Sequence, residues 1–548
     1  MNPRLVLPRL RRLAGEHKLF AWALAVGAVL RLVTSIGYPG ALWFAGDSYV
    51  YLGAALRPQP NLSKVTGYSF FLRLLLPAHS FTLVTGVQHV MGLLVAVMIY
   101  VLLRRNGVSK TWSAIATLPQ LLDGYIIESE HLVMTETVFT FLLMVAVLML
   151  LWRPRPRWWT AAVAGLLVGA AAVVRTEGTI MLAVLPLFLL LRGWSWRTLR
   201  GWGIAVTFTV GALVPYGAYT GWFHERYSQY NTPFYATTES MGFYLWGRVS
   251  SFANCAVIKP TGEEAVVCPT QPIVDRDPPG NYIWHAPYVH ADMDAICTVT
   301  LNKQNGTTSK NCGPVSPAGN KVLTSFAIRA VEAQPLDYAK TVVKNVLLSF
   351  GFPRIGYPGS GTTYYYSFHE HYVGTDAATG KPISLLPPDN HEWIPGGTAY
   401  ADWLSYGRQA PGVVHRVFAL PIAVYQRLVF TYGPLLAVVF LVGLGGLFSV
   451  TARRRGTGIR SVVSARALAS LRLHWRPRGT TMLPWVTAVA LLVYPTAIAD
   501  FDYRYLIPVI PFAALAAGLA FAPRRAAPAK PAPSAPEGVE STVPDSVS

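Results

Sequence analysis

Charge is scarce in this chain, and acid is scarcer than base. Asp, Glu, Lys and Arg make up 13% of the 548 residues, where a soluble domain carries about 25%. A mean hydropathy of +0.35 and an apolar share of 52% set aside an ordinary soluble protein. Cysteine is also rare, with four residues and no C-x-x-C pair, which argues against a zinc module. Neither a Walker loop nor a G-x-G-x-x-G turn occurs in a suitable context, so no soluble-nucleotide site is expected. The net charge of +19 does not point to nucleic acid as a partner. Its bases sit in short loops between apolar runs, which is how a membrane protein fixes its orientation.

What is present is a series of apolar runs. The basic cluster Arg4, Arg9, Arg11, Arg12 and Lys18 places the N-terminus in the cytoplasm. The run that follows, 19–36, is too long for the core of a signal peptide and reads as a retained span. Further spans are expected at 81–103, 111–127, 131–152, 158–174, 179–192, 202–220, 428–450, 482–499 and 506–522. Ten crossings put every strongly basic loop on one side, including the acid-free loop 451–480 with Arg453, Arg454, Arg455, Arg460, Arg466, Arg472, Arg476 and Arg478. Gly67 to Leu76 is apolar but short and suits a helix at the membrane interface.

The chain divides into a seven-span module (1–220), an outer domain (221–425), three last spans (426–525) and a Pro/Ala/Ser-rich cytoplasmic tail (526–548) expected to be disordered. The outer region is too long to be structureless and is expected to be mixed α and β. It holds all four cysteines, Cys255, Cys268, Cys297 and Cys312. An even number confined to the outside reads as two disulfides, with three connectivities open. The shortest loops favour Cys255–Cys268 and Cys297–Cys312. Asn61-Leu-Ser63 and Asn305-Gly-Thr307 match the glycosylation sequon on the same side.

The outer turns collect the chemistry-bearing residues. They are Asp47, Lys64, Asp123, Glu128, Glu130, His131, Glu136, Arg175, Glu177, Asp502 and Arg504. Each has a plainer reading: Asp47 as a helix cap, Lys64 as a headgroup anchor, and Arg175–Glu177 and Asp502–Arg504 as local ion pairs. Glu136 falls about 7.5 Å along a helix that starts near His131. Glu130 reaches the same cavity only if it is not yet helical, and Glu128 is expected to be solvated. The functional reading rests on four turns that each carry charge beside an apolar helix end. Carboxylates with cations at a membrane surface suit transfer from a lipid phosphate: an acid takes a proton and cations hold the departing phosphate. Acid pairs also bind Mg²⁺ or Mn²⁺. The D-x-D Asp275-Arg-Asp277 lies in a Pro-rich stretch and reads as solvated.

Five segments together resemble the GT-C superfamily of polyprenyl-phosphate-sugar-dependent glycosyltransferases. They are Gly46-Asp47-Ser-Tyr-Val-Tyr-Leu, Lys64-Val-Thr-Gly-Tyr68, Glu130-His-Leu-Val-Met-Thr-Glu136-Thr-Val-Phe, Arg175-Thr-Glu-Gly178 and Tyr503-Arg504-Tyr505-Leu-Ile-Pro508. That group includes protein O-mannosyltransferases, the aminoarabinose transferase acting on lipid A, and actinobacterial phospholipid carrier-dependent members. The resemblance implies a multi-pass plasma-membrane enzyme with a GT-C fold and a polyprenyl-phosphate sugar as donor. Its acceptor would be an envelope glycan, lipid or protein, reached at the outer face. Asp47 matches the base, Glu136 and Glu130 a second acid, with His131 beside them. Lys64, Arg175, Arg504 and Tyr505 match the donor-phosphate side. Ser48 follows Asp47 where protein mannosyltransferases often carry a second acid, and Val65 follows Lys64 where Pro is common. Two other readings stay open. A glycan polymerase or ligase would use arginines of the outer loop, with Arg226, Arg248 and Arg354 as candidates. A lipid-sugar flippase would want charge within spans, where Arg31 is the clearest case.

Overall fold

A computed structural model of the chain describes residues 15–230, 232–285, 315–352, 354, 356–359, 363–369, 374–375, 382–383, 391–408, 414–448, 450–451, 472–473 and 479–523. Arg4, Arg9, Arg11 and Arg12 of the N-terminal basic cluster, the arginines of the loop 451–480 apart from Arg472, Asn305, Cys297, Cys312 and the tail lie outside the described residues.

The first helix, α1 (Lys18–Gly37), is apolar apart from Lys18, Arg31, Thr34 and Ser35. Its exposed large side chains, Trp22, Val26, Val29, Leu32 and Ile36, recur every three or four residues and form one stripe. A stripe of that kind is favourable only where lipid replaces water. The same pattern runs along α9 (Leu199–Tyr227) through Leu199, Trp202, Val206, Val210 and Leu213. The chain is a helical membrane protein.

Among the described residues, five helices are long and apolar enough to cross a membrane, or six when a pair bent by 57° near Val429–Tyr432 counts as one. Three further apolar helices are shorter: α6 (Glu136–Leu151), α7 (Trp158–Val174) and α8 (Thr179–Leu191). The sequence spacing therefore overstates continuity at several of the ten expected spans. The clearest case is 111–127, which breaks into the pieces Lys110–Ile115, Leu118–Leu122 and α5 (Gly124–His131). Pro119 sits in the first turn of the second piece, and Asp123 caps the third by accepting the Tyr125 and Ile126 N–H groups. A capping carboxylate in a run of apolar residues starts a new helix rather than continuing the old one. Helix packing is close where glycine allows it. A Cβ on Gly165 or Gly169 of α7 would lie 2.1 or 2.0 Å from backbone oxygens of α9, so this G-x-x-x-G face admits no side chain.

The outer region differs from the mixed α/β expectation. Its described residues are helical, and its strands are one two-residue pair, Gly374–Thr375 with Pro382–Ile383. Proline is the reason: Pro317 and Pro335 sit at the first turns of α11 (Pro317–Ala333) and α12 (Pro335–Leu348), where a missing N–H costs nothing. This part has its own core, in which Phe243, Trp246, Val249, Tyr282, Leu323 and Phe326 meet. A disulfide between Cys255 and Cys268 closes its edge.

One short contact positions the first outer loop. Leu42 and Leu132 form a parallel bridge, with Leu42 N–H donating to His131 O at 2.9 Å and Val133 N–H to Leu42 O at 3.0 Å. The Ser48 hydroxyl donates to Val133 O at 2.9 Å and accepts from the Phe44 N–H at 2.8 Å. The start of α2 (Ala45–Leu56), which carries Asp47, is thereby fixed to the turn before α6. From the other side Trp393 packs directly onto Gly46, where a Cβ would lie 2.5 Å from its ring.

Candidate active site

A cavity of about 1090 Å³ lies between the membrane helices and the outer region. Its walls come from the turns expected to carry charge. Asp47, Tyr51 and Lys64 line it from the first outer loop, Thr135 from the second, Arg175 and Glu177 from the third, and Arg504 and Tyr505 from the last.

Asp47 is the pivot. Lys64 Nζ lies 2.7 Å from its Oδ1, and Arg504 Nη1 lies 3.5 Å from its Oδ2. The Asp47 side chain keeps 17% exposure, so it remains reachable. Burial alone would raise its pKa, but Lys64 and Arg504 outweigh it and hold the carboxyl below its ordinary range. Burial disfavours the Lys64 ammonium in the same way, and Asp47 reverses the sign, so Lys64 titrates above a free lysine. Arg504 is itself aimed by Asp502, which accepts its N–H and its Nε–H at 3.1 and 3.0 Å.

Arg175 forms the second cationic corner. It makes an ion pair with the buried Glu136, donates to the Thr135 hydroxyl at 3.0 Å, and grips Glu177 through Nε and Nη2 at 2.9 and 3.0 Å. Arg175 and Arg504 stand over the Tyr505 ring at 5.5 and 5.4 Å, and their guanidinium groups converge on one patch of wall. Glu136, in the first turn of α6, is 2% exposed and does not line the cavity. It touches the site through Arg175 and through the Thr135 hydroxyl, which donates to its Oε2 at 3.4 Å.

Glu130 and His131 are elsewhere. Both belong to α5 and are helical, so the condition under which Glu130 would share the cavity is not met. Glu130 is 1% exposed and takes Arg31 in a two-point grip, with Nε and Nη2 each at 2.7 Å. His89 Nδ1 lies 3.0 Å from Glu130, His89 Nε2 lies 3.0 Å from His131 Nδ1, and His131 Nε2 meets Tyr38 O at 2.7 Å. This is a closed chain of partners inside the helical body. Glu128, expected to be solvated, is fully buried on the same helix. Asp123 is a cap and also accepts the Thr431 N–H at 2.6 Å.

The arginines named for the outer loop do not themselves line the cavity. Arg248 is fully buried against Asp500 at 3.1 Å, Arg354 stacks on Tyr125, Phe430 and Tyr503, and Arg226 lies over Tyr227. Asp275 and Asp277 are exposed. Sequence reasoning missed Tyr51, although it lies four residues after Asp47 on one helix face, and it missed His89. Among the described residues no group of three or more His, Cys, Asp or Glu side chains could hold a metal ion. Of the acids at the cavity wall, Asp47 is opposed by Lys64 and Arg504 and Glu177 by Arg175, while Glu239 is held by the Asn320 amide. That donor set does not fit Mg²⁺ or Mn²⁺, which need carboxylate oxygens free of competing cations.

Fold and site together define a helical membrane protein with a cation-rich cavity built on one reachable carboxylate. No family model matches the chain, and no curated protein does. Among solved structures it is similar to a Saccharomyces cerevisiae protein O-mannosyltransferase, the Pmt1–Pmt2 complex bound to the sugar donor. That match has 15% identity and a TM-score of 0.31, and covers 39% of this chain and 34% of that one. It is also similar to the oligosaccharyltransferase AglB of Archaeoglobus fulgidus. Bound to an inhibitory peptide and a dolichol-phosphate, AglB matches at 12% identity and a TM-score of 0.38; in the apo form it matches at 10% and 0.37. Each covers 91% of this chain and 50% of that one. The chain thus spans between 34% and 50% of the length of these proteins.

Proposed function

We propose that this chain is an inverting membrane glycosyltransferase. It moves one sugar from a polyprenyl phosphate to a hydroxyl of an envelope glycan, lipid or protein at the outer face of the plasma membrane. The observation that carries this reading is the reachable Asp47 carboxylate set between Lys64 and Arg504 in a cavity that opens beside apolar helices. The partition into 1–220, 221–425, 426–525 and 526–548, with ten crossings and both termini in the cytoplasm, belongs to the same proposal.

The chemistry follows from the charges. In the ligand-free site Lys64 is paired with Asp47, and Arg504 with Asp47 and Asp502. A lipid phosphate competes for both cations, which draws them from Asp47 and restores its basicity. Asp47 then accepts the proton of the acceptor hydroxyl as that oxygen forms its bond to the anomeric carbon. The bond from that carbon to the phosphate oxygen breaks on the opposite side, which inverts the centre. The electron pair leaves on the polyprenyl phosphate, whose growing charge meets Lys64, Arg504 and Arg175. The proton on Asp47 returns to solvent as product departs. Glu136 holds Arg175 in place, and Glu130 and His131 act at a distance by fixing the turn that holds the Asp47 helix. The polyprenyl chain stays in the bilayer throughout.

The test is transfer from radiolabelled polyprenyl-phosphate monosaccharides to isolated envelope by the whole chain in lipid nanodiscs. Transfer by the native chain and its loss in Asp47→Asn, at unchanged thermal stability, is the expected result; near-native turnover removes Asp47 as base. The cavity volume favours keeping a second reading, since about 1090 Å³ exceeds the space of one sugar ring. A lipid-linked oligosaccharide in the same assay separates a glycan polymerase or ligase from a single-sugar transferase.

A further inference from the structure

One carboxylate on the cavity wall takes no part in the chemistry above. Glu239 lines the cavity from the outer region and is 2% exposed. Its Oε2 accepts a hydrogen bond from Asn320 Nδ2 at 2.6 Å. Asn320 Oδ1 in turn accepts the Gly242 N–H at 2.6 Å, so the amide's orientation is fixed and an N–H faces Glu239. Its second oxygen, Oε1, has no hydrogen-bond partner. A buried carboxylate oxygen without a donor is costly and calls for a reason. Burial raises the pKa of the group, and Asn320 opposes the rise.

The position is as specific as the missing partner. The Glu239 N–H donates to Leu62 O at 2.7 Å, and the Ser240 hydroxyl donates to Ser63 O at 2.8 Å. The next residue is Lys64, the partner of Asp47. Tyr244, in α10 (Met241–Ser250), is near enough to Lys64 to act on its charge. The helix pair behind Glu239 is closely packed, since a Cβ on Gly242 would lie 2.4 Å from Asn320 O. An acceptor oxygen without a donor is therefore set in the cavity wall, tied to the two residues that precede Lys64.

A phosphate is repelled there by like charge, and one free carboxylate oxygen is too few ligands for a metal cation. A neutral hydroxyl donor fits. Resting on the glycosyl-transfer reading, we infer that Glu239, oriented by Asn320, is a sugar-hydroxyl subsite on the outer wall of the cavity. It holds a hydroxyl of either the donor sugar or a glycan acceptor, and it fixes the ring so that the reacting carbon and the acceptor oxygen face Asp47. Glu239 binds; it does not carry the transferred proton.

The experiment uses the whole chain in nanodiscs with undecaprenyl phosphate and its mannosyl, glucosyl, galactosyl and arabinosyl derivatives as probes. Binding is measured to native, Glu239→Gln and Asn320→Ala chains, and KM for isolated envelope glycan is measured alongside. Gln keeps the size of Glu and its link to Asn320 but turns Oε1 from acceptor to donor. Glu239→Gln is expected to raise Kd about 10- to 100-fold for the glycosyl lipid that binds best, the worth of one charged hydrogen bond. Bare undecaprenyl phosphate and the melting temperature should change little, and Asn320→Ala should follow the same direction. A rise of that size in acceptor KM alone assigns the subsite to the acceptor instead of the donor. Unchanged Kd and KM overturn the subsite, as does equal weakening of bare undecaprenyl phosphate, which would make Glu239 part of the phosphate pocket. A native chain that prefers no glycosyl lipid and transfers nothing overturns the glycosyl-transfer reading, and the subsite with it. A transferring native chain matched by Glu239→Gln overturns the subsite alone.

Discussion

Two charged clusters in this protein are made of the same ingredients and face opposite fates. Asp47, Lys64 and Arg504 meet at a cavity wall, with side-chain exposures of 17, 20 and 16%. Arg31, Glu130, His89 and His131 meet inside the helical body, with none above 6%. In the first cluster one carboxylate is shared by two cations that do not pair with each other, so an incoming anion can redistribute the partners. In the second, the partners close a chain from Arg31 to the Tyr38 carbonyl, and nothing enters without breaking it. A reachable, redistributable pair can do chemistry. A closed one fixes geometry, here by seating the His131–Val133 turn against Leu42 and Ser48.

That contrast predicts its own tests. The largest effect belongs to Asp47→Asn, which leaves size and fold in place and removes the base. Transfer should fall by about 10²–10⁴-fold, the usual worth of a positioned base, with the melting temperature near native. The equivalent change in the closed cluster should do the reverse. Arg31→Met leaves Glu130 without its buried cation, and should cost about 3–5 kcal/mol of stability, whereas the paired change Arg31→Met with Glu130→Leu should recover most of it. Denaturation of the single and double variants in matched detergent decides the matter. If Arg31→Met were stable but inactive, the closed cluster would belong to the chemistry and the contrast would fail. A smaller probe is Gly92→Ala. Its Cβ would lie 1.8 Å from Glu130 Oε1, so crowding alone should cost about 1–3 kcal/mol.

The pH response sharpens the open cluster. Asp47 titrates below its unfolded value because Lys64 and Arg504 stabilise its charge. The sign is that of a depressed carboxylate: the stabilisation is full above the unfolded value near ~3.9 and is lost as pH falls through the lower folded value. Lys64→Met removes the nearer cation, so the acid limb of the pH–rate profile should move to higher pH while donor KM rises. A limb that stays in place in Lys64→Met would assign it to a group other than Asp47.

The two clusters also show what a sequence reveals. Asp47, Lys64, Arg175 and Arg504 were legible as charges beside apolar helix ends, and alternating spans predicted that their turns share a side of the membrane. The Glu128–Glu136 stretch had the same outward signs and a different outcome. Nothing local to Glu130 announces that Arg31, 99 residues earlier, and His89, 41 residues earlier, will close around it. Arg31 inside an apolar run was the visible half of that signal, since a buried arginine needs an acid. The break at Pro119 and Asp123 was also written locally, but hydropathy averages over it. In the outer region, Pro and Gly read as turn and strand punctuation, while Pro317 and Pro335 begin helices. Glu239 carried no local signal at all, because its meaning depends on Asn320 and on Leu62 and Ser63.

The smallest expected effect falls on the border between the clusters. Arg175 lines the cavity but leans on Glu136, which is buried like Glu130, and on Glu177, which keeps 16% exposure. Glu177→Gln removes the more exposed carboxylate and leaves the buried ion pair intact. A partly exposed pair is worth up to about 1 kcal/mol, so donor KM should change by less than about fivefold and kcat should hold. Glu136→Gln takes away the buried partner instead. Arg175 then loses its anchor, and donor KM and stability should suffer together. Should Glu177→Gln prove as harmful as Glu136→Gln, Arg175 would be held by its exposed partner, and the rule that separates the two clusters, closure against access, would not extend to this corner of the site.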